Sequence, residues 1–241
     1  MPALTLTKHH GLGNDFLVLL DPPDGITVDG RLARGLCDRH RGVGADGLIR
    51  ATVDADGTAT MTLWNADGGR AEMSGNGISC LAQALAMRGV PGPDIAIVTD
   101  AGPRSVRLDG DVATVDMGDV TVKADGDAMV VDVGNPHLVL RDDGQDLEAL
   151  GRTHADVNVE LITATSGSEL AMRVHERGVG ITDACGTGAV ASAAAGREWG
   201  LVGDDVVVVQ PGGPTRVDLS GPTVRYSVPV VFIARIEVPC P

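Results

Sequence analysis

Apolar and polar residues change places over short distances in most of this chain. LTLTKHHG, AMVVDVG, DIAIVTDAG and DVVVVQPGG are short apolar-rich runs bounded by Gly, Asp or Pro, and they read as strands. Two segments differ. ISCLAQALAMRG and AVASAAAGREWG are each about twelve residues rich in Ala and Leu that close on a glycine, the expected stop signal of a helix. A small-residue turn precedes each, SGNG from Ser74 and CGTG from Cys185. The pattern therefore predicts two long helices with Ser74 and Cys185 at their N-termini.

These helices belong to an internal repeat. At an offset of 111, Ser74-Gly75-Asn76-Gly77 lies over Cys185-Gly186-Thr187-Gly188, Asp94 over Asp205, Ile97-Val98 over Val208-Val209, and Ala101-Gly102-Pro103 over Gly212-Gly213-Pro214. With a small change of offset, Gly13-Asn14-Asp15-Phe16-Leu17-Val18-Leu19 resembles Gly134-Asn135-Pro136-His137-Leu138-Val139-Leu140. The reading is a duplicated α+β domain, each half running from a GN-containing strand through β-rich segments to one long helix and then further strands. The boundary falls near Gly118, giving halves 1–117 and 118–241.

The first turn of a helix offers unsatisfied N–H groups and the positive end of the helix dipole, and glycines let an anion approach the backbone. One such turn is most often a simple cap; two in register, facing across an interdomain cleft, would hold a carboxylate. A helix N-terminus also lowers a thiol's pKa, so Cys185 is a candidate thiolate or proton shuttle. Nine residues before Cys185 stands Glu176, and nine before Ser74 stands Asn65. With Asn14, Asn135, His137, Asn158 and Arg177 they form a set of amide and charged side chains beside Gly or Pro turns. Each alone reads first as a turn or surface residue; together they suit an amino-acid substrate.

Charge and cysteine usage narrow the class. A net charge of −14 over 241 residues disfavours a nucleic-acid partner, which needs clustered Lys and Arg. The apolar runs fall well short of the roughly 20 residues that span a bilayer, and MPALTLTKHHG lacks a secretory apolar region, so no membrane partner and a cytoplasmic location are expected. Cys37, Cys80, Cys185 and Cys240 have neither disulfide-framework nor zinc-finger spacing, so no metal is expected. Cys37 and Cys80 read as small buried hydrophobes. Cys80 lies six residues into its helix, about 9 Å along and about 240° around the axis from Ser74, and should point elsewhere. Neither lysine, Lys8 or Lys123, sits in a motif suited to a Schiff base, which agrees with chemistry that uses no cofactor.

KHHGLGNDFLVL, VGADGLI, WNADGGRAEMSGNG, GNPHLVL, DVNVELI, ERGVGITDACGTGA and VQPGGPTRV, in this order and spacing, resemble the diaminopimelate epimerase family over nearly the whole chain. The resemblance implies two halves, each a curved, mostly antiparallel sheet around a long central helix, with the active site in the cleft between them. It implies cofactor-free epimerisation of LL- and meso-diaminopimelate by two thiols on opposite faces of the α-carbon, in a homodimer whose halves close over the substrate. Cys185 would be one of these groups and Ser74 would stand in the place of the other. His137 and Glu176 would lie at the reacting centre. Asn14, Asn65, Asn158 and Arg177 would grip the distal amino-carboxylate end, and the backbone of Gly75-Asn76 and Gly186-Thr187 the reacting carboxylate; Asn135 joins the substrate-binding set.

The chain departs from that pattern at Ser74, where an alcohol replaces a far stronger acid, and also at Ser79, Ile181 and Val228. Three readings of Ser74 stand: an altered epimerase, a natural lineage in which serine or a relayed water moves the proton, or a relative with another outcome. The last includes a racemase of another amino acid and a hydroxyproline-type dehydratase with Cys185 as the main base. A paralogue that binds an amino acid without turning it over is a further alternative.

Overall fold

The computed structural model describes residues 3–239, so Cys240 lies outside the described residues. The chain divides into two compact units, one comprising the residues up to Ala113 together with those from Pro229 onward, the other Thr114–Val228. Gly118 ends the strand that passes from the first unit into the second.

Unit 1 contains β1 (Ala3–Gly11), β2 (Asn14–Leu20), α1 (Gly30–Cys37), β3 (Gly47–Val53), β4 (Ala59–Asn65), β5 (Arg70–Ala71), α2 (Gly75–Met87), β6 (Asp94–Thr99) and β7 (Gly102–Asp109). After β8 (Val112–Gly118), unit 2 contains β9 (Thr121–Asp125), β10 (Ala128–Asp132), β11 (Pro136–Arg141), α3 (Leu147–Thr153), β12 (Asn158–Ser166), β13 (Glu169–Glu176), β14 (Gly180–Thr182), α4 (Gly186–Glu198), β15 (Asp205–Gln210) and β16 (Gly213–Asp218). The long β17 (Val224–Pro239) begins in unit 2 and ends in unit 1.

Strand pairing repeats between the units. In unit 1, β1 and β2 are antiparallel, β2 and β3 parallel, β3 and β4 antiparallel, β4 and β6 parallel, and β6 and β7 antiparallel. Unit 2 has the same order in β10, β11, β12, β13, β15 and β16. A parallel pair cannot be joined by a hairpin and needs a crossover. The long helices α2 and α4 supply one crossover in each unit, as the repeat predicts. The short helices α1 and α3, of eight and seven residues, supply the other.

The two long helices are thirteen residues each and start 111 positions apart. Both are buried nearly all round, which fits an element enclosed by its own sheet. α4 packs on β9 to β13, β15 and β16, and α2 on β1, β2, β3 and β7. Small residues make that approach possible: a Cβ on Gly196 would stand 2.9 Å from Leu170 Cδ1. With aromatics at 2%, Leu, Ile, Val and Ala build the interior, as in the unit 1 cluster of Leu4, Leu6, Leu17, Leu19, Leu36 and Leu48. Cys37 lies in that cluster, and burial pushes its thiol up to about 12. Cys80 is also fully buried, its thiol raised by burial and by Asp15.

Candidate active site

Topology accounts for the nine-residue spacing of the polar positions. β4 ends at Asn65 and β13 at Glu176, and after each strand the chain turns into the crossover helix capped by Ser74 or Cys185. In a crossover unit the carboxyl end of the strand and the N-terminus of the following helix lie at one edge of the sheet, where ligands bind in such folds. Register adds neighbours to that edge. Gly47 pairs with both Phe16 and Asn65 in unit 1; Asn158 stands opposite His137 in unit 2, and the next residue, Val159, opposite His175.

The caps themselves are near copies. Ser74 has φ −139° and ψ 126°, and its Oγ accepts from Gly77 N at 3.1 Å. Cys185 has φ −134° and ψ 118°, and its Sγ accepts from Gly188 N at 3.3 Å. Hydroxyl and thiol thus occupy the same place in the same local geometry, one in each unit. The backbone of Gly75, Asn76, Gly186 and Thr187 forms the first helical turns, where donors without intrahelical partners point out of the helix.

Behind the unit 1 cap, Asn76 Nδ2 donates to Asn14 Oδ1 at 3.2 Å, and Asn14 Nδ2 donates to Asp46 Oδ2 at 2.9 Å. Gly11 lies close to this contact: a Cβ there would stand 3.2 Å from Asn76 Oδ1. Asp46 is held in turn by Arg39 at 2.7 Å, which also binds the buried Asp15, as does Lys8 at 2.8 Å. Burial would raise the Asp15 carboxyl, but the bonds from Arg39 and Lys8 outweigh it and hold Asp15 below its usual 3.8. Asn65 lies at the end of β4, where its backbone closes the NADGG turn through bonds to Gly68 and Gly69.

Unit 2 gathers more of the predicted residues. Cys185 Sγ lies 3.5 Å from Thr187 Oγ1 and within hydrogen-bonding reach of the Glu176 carboxylate, which also accepts from Thr182 Oγ1. Asn135 Nδ2 donates to Thr187 Oγ1 at 3.4 Å, while Asn135 Oδ1 is 3.0 Å from His137 Nε2. His137 Nδ1 meets Glu160 Oε1 at 2.7 Å, with both side chains fully buried. Asn158 bridges two backbone groups, donating to Pro136 O and accepting from Arg177 N at 2.9 Å. Its side chain therefore fixes the position of Arg177, which is itself exposed.

Burial and charge act against ionisation of the thiol and the carboxyl in unit 2. Burial raises Cys185 well above the ordinary thiol value of 9.0, and the charges of Glu176 and Glu160 push in the same direction; donation from Thr187 and Gly188 opposes them. Glu176 retains some open surface, yet desolvation lifts its carboxyl above 4.5. A thiol and a carboxyl so placed exchange a proton when an anionic or cationic group arrives to change the local charge. Among the described residues no cluster of His, Cys, Asp and Glu has the arrangement to hold a metal ion.

Several contributors escaped the sequence reading. Gln210 accepts from Cys185 N at 2.7 Å; at the offset of 111 it corresponds to Thr99, whose Oγ1 donates within its own turn to Gly102 O. Glu160 was visible as the one charged residue of NVELI, an otherwise apolar strand segment, and Asp46 as the acid of VGADGLI. At the departing positions, Ser79 Oγ donates back to Gly75 O at 2.7 Å, Ile181 is exposed and Val228 is buried.

Comparison with known proteins agrees with this architecture. The sequence model for the family described as Diaminopimelate epimerase matches residues 6–123 and 129–228. A diaminopimelate epimerase of Mycolicibacterium paratuberculosis is 35% identical, with 98% of this chain and 97% of the relative covered; one of Rhodococcus opacus is 38% identical, with 96% of each covered. Among solved structures, a probable proline racemase from Agrobacterium radiobacter matches with a TM-score of 0.77 at 14% identity, covering 98% of this chain and 93% of that one. A hydroxyproline epimerase from Agrobacterium vitis, solved with trans-4-hydroxy-L-proline, matches at 0.74 and 14% identity over 98% and 92%. The structures share the fold, and the sequence matches, full-length and above 30% identity, go further: the chain belongs to the diaminopimelate epimerase family.

Proposed function

We propose that this protein is an isomerase that interconverts LL- and meso-diaminopimelate by proton transfer at one α-carbon, without a cofactor, in cytoplasmic lysine and peptidoglycan biosynthesis. The matched caps carry the reading: a thiol and a hydroxyl on equivalent first turns, each accepting from the helix's own N–H. Cys185 exchanges the proton on one face, with Glu176 as the group that takes or returns the thiol proton. The donors of the two first turns stabilise the carboxylate as the α-carbon gains carbanion character. Arg177, whose planar fork suits a carboxylate, holds the distal end together with Asn14, Asn65 and Asn158.

On the second face Ser74, or a water it holds, moves the proton. Whichever direction the reaction runs, one step leaves or starts from an alkoxide if the hydroxyl acts alone. An alcohol resembles water and is a far weaker acid than a thiol, by about 7 units, roughly 10 kcal/mol. Turnover should therefore be slow. The assembly proposed is a homodimer, supported by the consecutive exposed residues Val231, Phe232 and Ile233 on the unit 1 part of β17.

The test is LL-diaminopimelate in D₂O, following α-deuterium and meso product for the native protein and Ser74→Cys. The variant should turn over faster, by about a thousandfold, well inside the ceiling of about ten-million-fold that the gap above sets. The hydroxyl at position 74 also favours a second reading, a one-base elimination by Cys185 from a hydroxylated amino acid. Silence of both forms toward diaminopimelate, with loss of water from a hydroxyproline, would establish that reading and overturn the first.

A further inference from the structure

Glu160 takes no part in the proton transfers above, yet it is fully buried and its Oε2 has no partner among the described residues. A half-satisfied buried carboxyl costs stability, so its retention asks for another reason. Its surroundings supply one. Glu160 Oε1 touches His137 Nδ1 at 2.7 Å, and a Cβ on Gly188 would stand 2.8 Å from the same oxygen. The carboxyl is thus lodged directly beneath the first turn that carries Cys185.

The bonds between Glu160 and the thiol run in one direction. Asn135 turns its amide nitrogen to Thr187 and its Oδ1 to His137, so His137 Nε2 carries a proton and donates. Thr187 Oγ1 accepts from Asn135, which leaves its own O–H to point at Cys185 Sγ, 3.5 Å away. We infer that Glu160 is a positioning residue whose carboxyl O–H donates to His137 Nδ1, keeping the imidazole proton on Nε2 and holding this donor chain in the sense that delivers the Thr187 hydroxyl to the Cys185 sulfur. Lose the partner at Nδ1 and the imidazole can shift its proton to that nitrogen, Asn135 can turn over, and Thr187 becomes an acceptor of the thiol proton instead. The first arrangement favours thiolate, the second thiol.

Charge and polarity predict opposite signs, which makes the inference testable. The groups facing Cys185 are Glu176, Glu160, Thr187 and the Gly188 N–H, with His137 and Thr182 facing Glu176. As a mere negative charge, Glu160 opposes the thiolate, so any neutral residue at 160 would make Cys185 more reactive. As a positioning residue it can be replaced by glutamine, whose amide donates to Nδ1 and keeps the proton on Nε2, but not by leucine.

The inference rests on Cys185 being an acid–base group, but thiol chemistry rather than turnover is read, so its failure is distinct from failure of the epimerase assignment. Iodoacetamide alkylation at one fixed pH is followed at the Cys185 peptide by mass spectrometry, with the buried Cys37 peptide reporting general opening. Glu160→Leu should react about tenfold more slowly than native protein, the scale of one hydrogen bond to a charged acceptor, and Glu160→Gln at or above the native rate. Acceleration in both variants, or no change in either, overturns the inference. Should Glu160→Leu loosen the fold and speed Cys37 as well, ¹⁵N spectra of native His137 decide: a proton on Nε2 is required, and a bare Nε2 refutes the donor chain.

Discussion

Gly188→Ala probes how tightly the first turn of α4 is locked to the charges beneath it. In an unconstrained helix interior the change is favourable, because alanine gains about 0.8–1.0 kcal/mol over glycine. Here the added Cβ would stand 2.8 Å from Glu160 Oε1 and 3.3 Å from both Cβ and Sγ of Cys185. The carboxyl cannot swing aside freely, since it is fully buried and bound to His137 at 2.7 Å. Relief comes either from shifting packed neighbours, about 1–3 kcal/mol, or from giving up a charge-assisted bond, about 1.5–3 kcal/mol. After the helical gain is deducted, a net loss of about 0–2 kcal/mol remains, or a fall in Tm of up to roughly 8 °C for a chain of this size. Differential scanning calorimetry is the assay. Gly35→Ala is the control, since its Cβ meets nothing within 4 Å in the exposed part of α1 and should raise Tm slightly. If Gly188→Ala behaves like Gly35→Ala, the contact does not exist and the lodged position of Glu160 is wrong.

Other perturbations bear on each unit separately. Gln210→Leu leaves the Cys185 N–H buried without its 2.7 Å acceptor, so stability should fall by about 1–3 kcal/mol by urea titration, while Gln210→Glu, which keeps an acceptor, should lose less. Asp15→Asn breaks the bonds to Lys8 and Arg39; because Arg39 is half exposed, the loss should stay below the about 3–5 kcal/mol of a fully buried pair. The pH dependence has a fixed sign. Asp15 is held below its usual 3.8 in the folded protein, so its contribution is complete above that value and disappears as pH falls through the lower folded pKa. Acid unfolding curves of Asp15→Asn should therefore stay offset from the native curve at about pH 4 and converge on it only as pH falls through the lower folded pKa, and a constant offset would refute the assignment.

Much of this site is legible in the chain itself. The offset of 111 aligned Ser74 with Cys185, and both are helix caps with matching backbone angles, because small residues, glycines and the start of an apolar helix are local signals. Non-local signals were weaker. Asn158 reads from its turn as a polar site residue, and the register of β11 with β12 adds that its side chain joins Pro136 O to Arg177 N. Gln210 ends a run of valines that marks a strand, but nothing local says that its amide reaches Cys185. The short helices α1 and α3 arise from parallel pairing, which no single segment announces. Glu160 is the intermediate case: a charge inside an apolar strand points to burial, and only the fold tells what it is buried against.

The route of β17 also sets an order of events during synthesis. Its later part pairs with β1 from Ala3 opposite Pro239 to Gly11 opposite Val230, a contact between residues far apart in the chain. Unit 2 is contiguous in the chain and can complete its own contacts without the residues from Pro229 onward. Unit 1 cannot, because one flank of β1 stays without its hydrogen-bonding partner until the strand from Val230 emerges, and such long-range closure is slow. The half that is translated first is thus the half that is finished last, and through that interval the bare edge of β1 is where a nascent chain would meet its neighbours.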